Sequence, residues 1–82
     1  MEEIEAAVAA NLNAEKQLAR KVTIYLCHRH SGAKLREIGE RFGVGESAVS
    51  QGSRRTRDKV AEDEILRGKV ERICQTLGIV NV

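Results

Sequence analysis

The stretch that most constrains the fold of this chain is LREIGERFGVGESAVSQGSRRTR, at residues 35–57. Its first part, residues 35–42, has the apolar spacing of a short amphipathic helix. A Gly-Val-Gly triplet at 43–45 interrupts that pattern, and residues 46–57 return to it with small polar side chains first and arginines later. Two short helices joined by a glycine turn pack across each other, so the rest of the chain is expected to support this unit.

The residue types within this stretch match the needs of a helix-turn-helix. Gly39 is small enough to let two helices cross closely, and a close contact would offset the cost of about 1 kcal/mol that Gly carries inside a helix. Gly43 can supply the positive φ of a tight turn. Apolar side chains would fix the angle of the second helix, and they are Ile38, Phe42, Val44 and Val49. The pattern predicts a helix-turn-helix at 35–59, with a ligand-free αα-corner as the alternative.

Composition indicates that the whole chain is all-α. The 82 residues include no Pro or Trp and only two aromatic residues, Tyr25 and Phe42, so the core is expected to be aliphatic. A chain of this length is expected to form a single domain, 1–82.

The first helix is weakly apolar and is expected to pack loosely at the edge, and the second is apolar over a wide sector and is expected at the centre. Apolar spacing predicts about five helices, at 2–12, 14–30, 35–42, 46–59 and 64–77.

Capping residues are expected at several helix ends. Asn13 and Asp63 suit the N-caps of the second and fifth helices. Gly32 and Gly78 suit left-handed C-caps of the same two helices. The inward face of the fourth helix is expected to hold one main apolar residue and three smaller ones, namely Val49, Ala48, Gly52 and Thr56.

Charge is unevenly distributed along the chain. Residues 16–59 hold 11 Lys and Arg against four Asp and Glu, whereas 1–15 and 60–82 are net acidic. A basic middle part is typical of a surface that meets a polyanion, although a solvated helical surface gives the same pattern.

Other function classes lack their sequence signals. No run approaches the roughly 18 apolar residues of a membrane helix, and the acidic N-terminus does not resemble a signal peptide. Cys27 and Cys74 have no metal-ligand spacing and are expected to be buried reduced thiols of a cytoplasmic protein. His28 and His30 point apart on a helix and have no carboxylate partner, so no metal site is expected. With no catalytic constellation, the chain is expected not to be an enzyme and to use no cofactor or small-molecule substrate.

Helix-turn-helix geometry suggests roles for the polar residues. A recognition helix presents the exposed residues of its N-terminal part to base edges, and the candidates are Glu46, Ser47, Ser50, Gln51 and Arg54. Gln51 can pair with adenine, Arg54 can reach guanine or a phosphate, and Glu46 can accept from cytosine or favour the helix start. Candidates for phosphate contacts are Lys34, Arg36, Arg55, Arg57, Arg20 and Lys21, any of which is also consistent with a solvated cation.

The segment ARKVTIYLCHRHSGAKLREIGERFGVGESAVSQGSRR, residues 19–55, resembles the C-terminal DNA-binding domain of the bacterial chromosomal replication initiator, DnaA. It is even more similar to the related domain of some bacterial transposases that act on repeated palindromic elements. The likeness extends over residues 19–77. It implies a Trp-repressor-like helical domain that binds duplex DNA with the helix from Glu46 in the major groove. The initiator has Asp-His-Thr-Thr where this chain has Gly45-Glu46-Ser47-Ala48, so its target sequence does not carry over.

Three functions follow as expectations. The first is sequence-specific binding of double-stranded DNA, with a homodimer or a fused partner domain extending the short half-site that one unit reads. The second is promoter recognition, since LREIGERFGVGESAVSQ also looks like the last region of sigma factors. The third is a helical protein-interaction module without DNA binding, which Glu46 and the acidic ends favour.

Overall fold

The computed structural model describes residues 2–12 and 14–78, and all regular secondary structure within them is helical. The helices are α1 (Glu2–Asn11), α2 (Lys16–His30), α3 (Leu35–Phe42), α4 (Glu46–Glu62) and α5 (Glu64–Leu77). The all-α prediction is therefore confirmed, although α2 starts two residues later and α4 ends three residues later than expected. None of the helices in this part of the chain is both long and apolar enough to span a membrane.

α2 is the central helix, as its wide apolar sector predicted. It packs against α1, α3 and α4. Val22, Leu26 and Cys27 on α2 are fully buried, and Tyr25 is almost so. The core around them is aliphatic, as expected for a chain with so few aromatic residues, because closely packed helices can fill the space with small branched side chains.

The expectation that α1 packs loosely at the edge is wrong. Its three buried residues are Ile4, Ala7 and Val8, and Leu12 just beyond its end is also buried. α1 packs against both α2 and α5. The helix contains few apolar residues, but their spacing of three and four places them on one stripe, and that stripe is what packing requires.

The turn between α3 and α4 explains the glycine within α3. The N–H of Val44 donates to the carbonyl of Gly39 over 2.8 Å, and Gly43 takes the predicted left-handed conformation with φ 69°. A Cβ on Gly39 would lie 2.5 Å from the Val44 carbonyl oxygen. The close neighbour is therefore the turn itself and not a crossing helix. Together α3, residues 43–45 and α4 are called the α3–turn–α4 unit below.

The predicted caps at the ends of α2 and α5 are partly confirmed. The Asp63 carboxylate accepts from the backbone N–H groups of Ile65 and Leu66 at 3.0 and 3.1 Å, so Asp63 is the N-cap of α5. Gly78 is the left-handed C-cap of α5, as expected. The C-cap of α2 is Ser31, and Gly32 follows it with the expected positive φ of 74°. Asn13 lies outside the described residues.

The inward face predicted for α4 needs one correction. Val49 and Thr56 are buried and Gly52 is half-buried, but Ala48 is exposed. Ala48 directly precedes the buried Val49, and a step of one residue turns a helix by about 100°, which carries Ala48 out of the packed face. Ser53 takes the inward place instead, because it lies four residues after Val49.

Candidate nucleic-acid interface

The surface of α4 has one buried face and, beside it, two stripes that contain most of the predicted site residues of this helix. The buried residues recur every three or four positions and are Val49, Ser53, Thr56 and Val60. The helical repeat of about 3.6 residues places two rows of side chains outside this face that bear on the candidate site. The outer stripe, opposite the buried face, consists of Ser47, Gln51 and Arg55. The α2-side stripe consists of Ser50, Arg54 and Arg57.

The α2-side stripe forms one wall of a cleft of about 260 Å³ between α2 and α4, called here the α2–α4 cleft. The cleft is lined by Tyr25, His28, Arg29, Ser50, Ser53, Arg54 and Arg57. His28 Nδ1 and Ser53 Oγ lie 2.9 Å apart and join the two walls. Sequence reasoning assigned Ser50 to base edges, but Ser50 is half-buried within this cleft.

Four residues of the cleft were not predicted as site residues, and they are Tyr25, His28, Arg29 and Ser53. A signal for them exists in the sequence, because residues 25, 28 and 29 and residues 50, 53, 54 and 57 each have the spacing of one helical stripe. Spacing alone does not say which stripes of two helices face each other, so the cleft becomes visible only in the packed structure.

The first turn of α3 holds two more of the predicted basic residues. Lys34 precedes the helix, and its backbone N–H donates to Glu37 Oε1 over 3.3 Å. Arg36 Nε lies 3.2 Å from Glu40 Oε1, and both side chains are largely exposed, at 79% and 69%. An exposed ion pair of this kind contributes little to stability, so Arg36 can exchange Glu40 for another anion at small cost.

Arg20 and Lys21, the other two candidates for phosphate contacts, are exposed on α2. Arg20 Nη2 donates to the carbonyl of Phe42 over 2.5 Å, so its guanidinium caps the last turn of α3 just before the glycine turn. Lys21 lines a shallow depression together with Lys16 and Lys59. Lys59 is about 20 Å along α4 from Glu46, so Lys21 is not close to the first turn of α4.

Two free cysteines and His30 lie in buried or partly buried surroundings. Within residues 2–12 and 14–78, no three His, Cys, Asp or Glu side chains are grouped so that they could hold a metal. Cys27 and Cys74 are free and buried, and burial raises the pKa of both thiols. Burial, followed by the charge of Arg29, lowers the pKa of His30, whose Nε2 is buried and has no hydrogen-bond partner. These surroundings favour neutral thiols and a neutral imidazole.

Comparisons with known proteins give no further guide to the site. No protein-family model, curated protein or solved structure matches the chain. The class defined by fold and surface is an all-α domain whose α4 carries an exposed polar stripe beside a basic cleft.

Proposed function

We propose that this chain binds double-stranded DNA in a sequence-specific manner, with the α3–turn–α4 unit acting as a helix-turn-helix. The observation that carries the proposal is the outer stripe of α4. It begins near the first turn of the helix with Ser47 and Gln51, both exposed, and it ends at Arg55, with Arg54 beside it on the α2-side stripe. Short polar side chains at the start of a helix with cations further along suit entry into a major groove between two phosphate backbones.

The proposal divides the exposed residues by role. Gln51 has the side chain best suited to base reading, because its amide can form two hydrogen bonds with adenine, whereas Ser47 is less selective. Glu46 can accept from the amino group of cytosine. Lys34, Arg36 and Arg55 would bind phosphates, which positions the protein without reading sequence. Arg20 would act indirectly, by holding the end of α3 through Phe42.

The wider assignment follows the resemblance to the replication initiator and to transposase-associated domains. The chain would serve as the DNA-binding part of such a bacterial protein, in the cytoplasm, and would not itself be an enzyme. One recognition helix covers a short half-site, so high specificity requires a homodimer or a fused partner domain.

A salt titration of duplex binding tests the proposal. With about four to six phosphate contacts, log K should fall with log salt at a slope of about −0.9 per contact. Affinity should then drop by about two to three orders of magnitude between 50 and 200 mM salt. Fluorescence anisotropy with a pool of random duplexes measures this slope, and selection from the same pool identifies the bound sequence. An absence of duplex binding at low salt would refute the proposal.

Two substitutions test the division of roles. Gln51→Ala should reduce discrimination at one base pair by about 1–3 kcal/mol, because a bidentate contact is lost. Arg55→Ala should weaken all sequences alike and reduce the salt slope by about 0.9. The exposed α5 residues Gln75 and Arg67 supply matched controls, as Gln75→Ala and Arg67→Ala. If Gln51→Ala and Arg55→Ala behaved alike on a panel of duplexes, the division would be wrong.

The second candidate function is a helical protein-interaction module. The observation in its favour is Ile65, a large apolar side chain that is 75% exposed at the start of α5. It lies beside charged residues of the α4–α5 junction, including Glu62 and Glu64. Under this alternative, duplex DNA would not bind at any salt concentration, and the substitution Ile65→Ser would weaken association with the protein partner.

A further inference from the structure

The α2–α4 cleft has an unusual chemical lining for a chain that is nearly neutral overall. Arg29, Arg54 and Arg57 converge on it, together with His28 and the hydroxyls of two serines. No carboxylate is among its lining residues. Asp58 Oδ1 lies 3.4 Å from Arg57 Nη2 just outside the cleft, and both side chains are more than half exposed.

The groups that line the cleft are the donors that an oxyanion requires. A guanidinium presents several N–H donors in a rigid fork that matches the oxygens of phosphate, and such charge-assisted hydrogen bonds are about twice as strong as neutral ones. The Ser50 hydroxyl can donate one more hydrogen bond, and the Ser53 hydroxyl can do so in the tautomer in which His28 Nδ1–H donates to it. Ser53 is buried, and its contact with His28 fixes its hydroxyl between the two helices.

Arg54 and Arg57 line the same wall of the cleft and repel each other, and a bound anion removes that repulsion. The Arg57–Asp58 pair relieves only part of it, because an exposed ion pair between neighbouring residues is weak. The cleft is also partly enclosed by α2, which reduces screening relative to an open helix surface. These features favour a compact, multiply charged ligand over a single carboxylate.

We propose that the α2–α4 cleft is a phosphate-binding site. The phosphate is supplied either by the DNA backbone, in which case the inference rests on the proposed function, or by a small phosphate ion. In the DNA complex the cleft would hold a phosphate next to the outer stripe of α4, so Ser50 and Arg54 bind backbone and leave base reading to Ser47 and Gln51.

The first arm of the test uses inorganic phosphate without DNA. The full chain is titrated with sodium phosphate at constant ionic strength, and amide and arginine side-chain resonances are followed by NMR. Saturable shifts at Ser50, Ser53 and Arg57, abolished in Arg57→Gln but retained in the α5 control Arg67→Gln, establish the site with a small ion as ligand. Melting temperatures of both variants verify that they fold.

The second arm uses duplex DNA and a salt titration. If the backbone is the source, Arg54→Gln and Arg57→Gln should each reduce the magnitude of the salt slope by about 0.9, and Arg67→Gln should leave it unchanged. If the wild type and all three variants bind duplex DNA alike, and free phosphate causes no shifts, the cleft proposal is overturned and the DNA-binding proposal stands. Saturable phosphate binding without duplex binding supports the cleft proposal and overturns the DNA-binding proposal. No response in either arm overturns both.

Discussion

Gly39 lies where α3 meets its own turn, and the surrounding atoms leave no space for a side chain. A Cβ at this position would lie 2.5 Å from the backbone oxygen of Val44, which cannot move without moving the turn. In α5, Gly68 is also helical, but a Cβ there would meet nothing within 4 Å. The two glycines therefore separate the intrinsic helix preference of alanine from the steric effect of the turn.

The substitution Gly39→Ala is expected to lower the free energy of unfolding. Alanine favours a helix over glycine by about 1 kcal/mol, but overpacking against backbone costs about 1–3 kcal/mol, so the net loss should be up to about 2 kcal/mol. Gly68→Ala should instead stabilise the protein by up to about 1 kcal/mol. Urea unfolding followed by circular dichroism measures both. Equal stabilisation by the two substitutions would contradict this expectation, because it would show that the turn backbone shifts to accommodate the added methyl group at little cost.

Single residues also show the limit of sequence reasoning. The small size of Gly39 and the positive φ of Gly43 were predictable, because both follow from local geometry. The role of Arg20 was not, since its acceptor is the carbonyl of Phe42, which lies 22 residues away in sequence. The contact between His28 and Ser53 spans 25 residues. Hydrogen bonds between polar groups that are distant in sequence are not specified by any local pattern.

At the scale of elements, periodicity predicted the helices well and their packing less well. The order, type and approximate bounds of α1 to α5 follow from apolar spacing and from glycine and aspartate at the ends. Which residues are buried depends also on tertiary packing, which apolar spacing does not specify. α1 contributes Ile4 and Val8, together with nearby Leu12, to the core despite its low apolar content. Ala48 is exposed, although it was expected to face inward beside Val49.

The candidate interface was predicted in part for the same reason. The exposed residues of α4 follow from its helical register, and all of the predicted site residues except Ser50 are exposed. The cleft depends on how α2 packs against α4, which places Arg29 and Arg57 on the lining of the same cleft although they are distant in sequence. Helix register is a local property, but the partner of each stripe is a property of the assembled fold.

At the scale of the whole molecule, an ion pair links the N-terminal helix to the α3–turn–α4 unit. Arg41 on α3 donates two hydrogen bonds to the Glu5 carboxylate on α1, at 2.6 and 2.8 Å. The two residues are 36 positions apart, so the pair closes a long loop of chain. The hydrogen bond from Arg41, against the opposing effect of burial, lowers the pKa of Glu5 below its ordinary value of 4.5.

This ion pair should make the stability of the whole fold depend on pH in the acid range. Because the pKa of Glu5 is lower in the folded chain, the unfolded chain binds the proton more readily, and stability must decrease as pH falls. The contribution is fully present above about pH 4.5 and is lost as pH falls through the lower pKa of the folded state. Urea unfolding at pH 7 and at steps between pH 5 and 3 measures the effect.

The substitution Glu5→Gln removes the charge and nearly keeps the shape, and Glu3→Gln on the exposed side of α1 makes the same change of net charge. Glu5→Gln should be less stable than the wild type at pH 7, and the difference should shrink as the wild-type carboxylate becomes protonated. High salt should reduce the difference at pH 7, because the pair is partly exposed and therefore screened. If Glu3→Gln and Glu5→Gln unfolded alike at every pH, the pair would not hold α1 to α3, and the apolar stripe of α1 alone would attach it to the core.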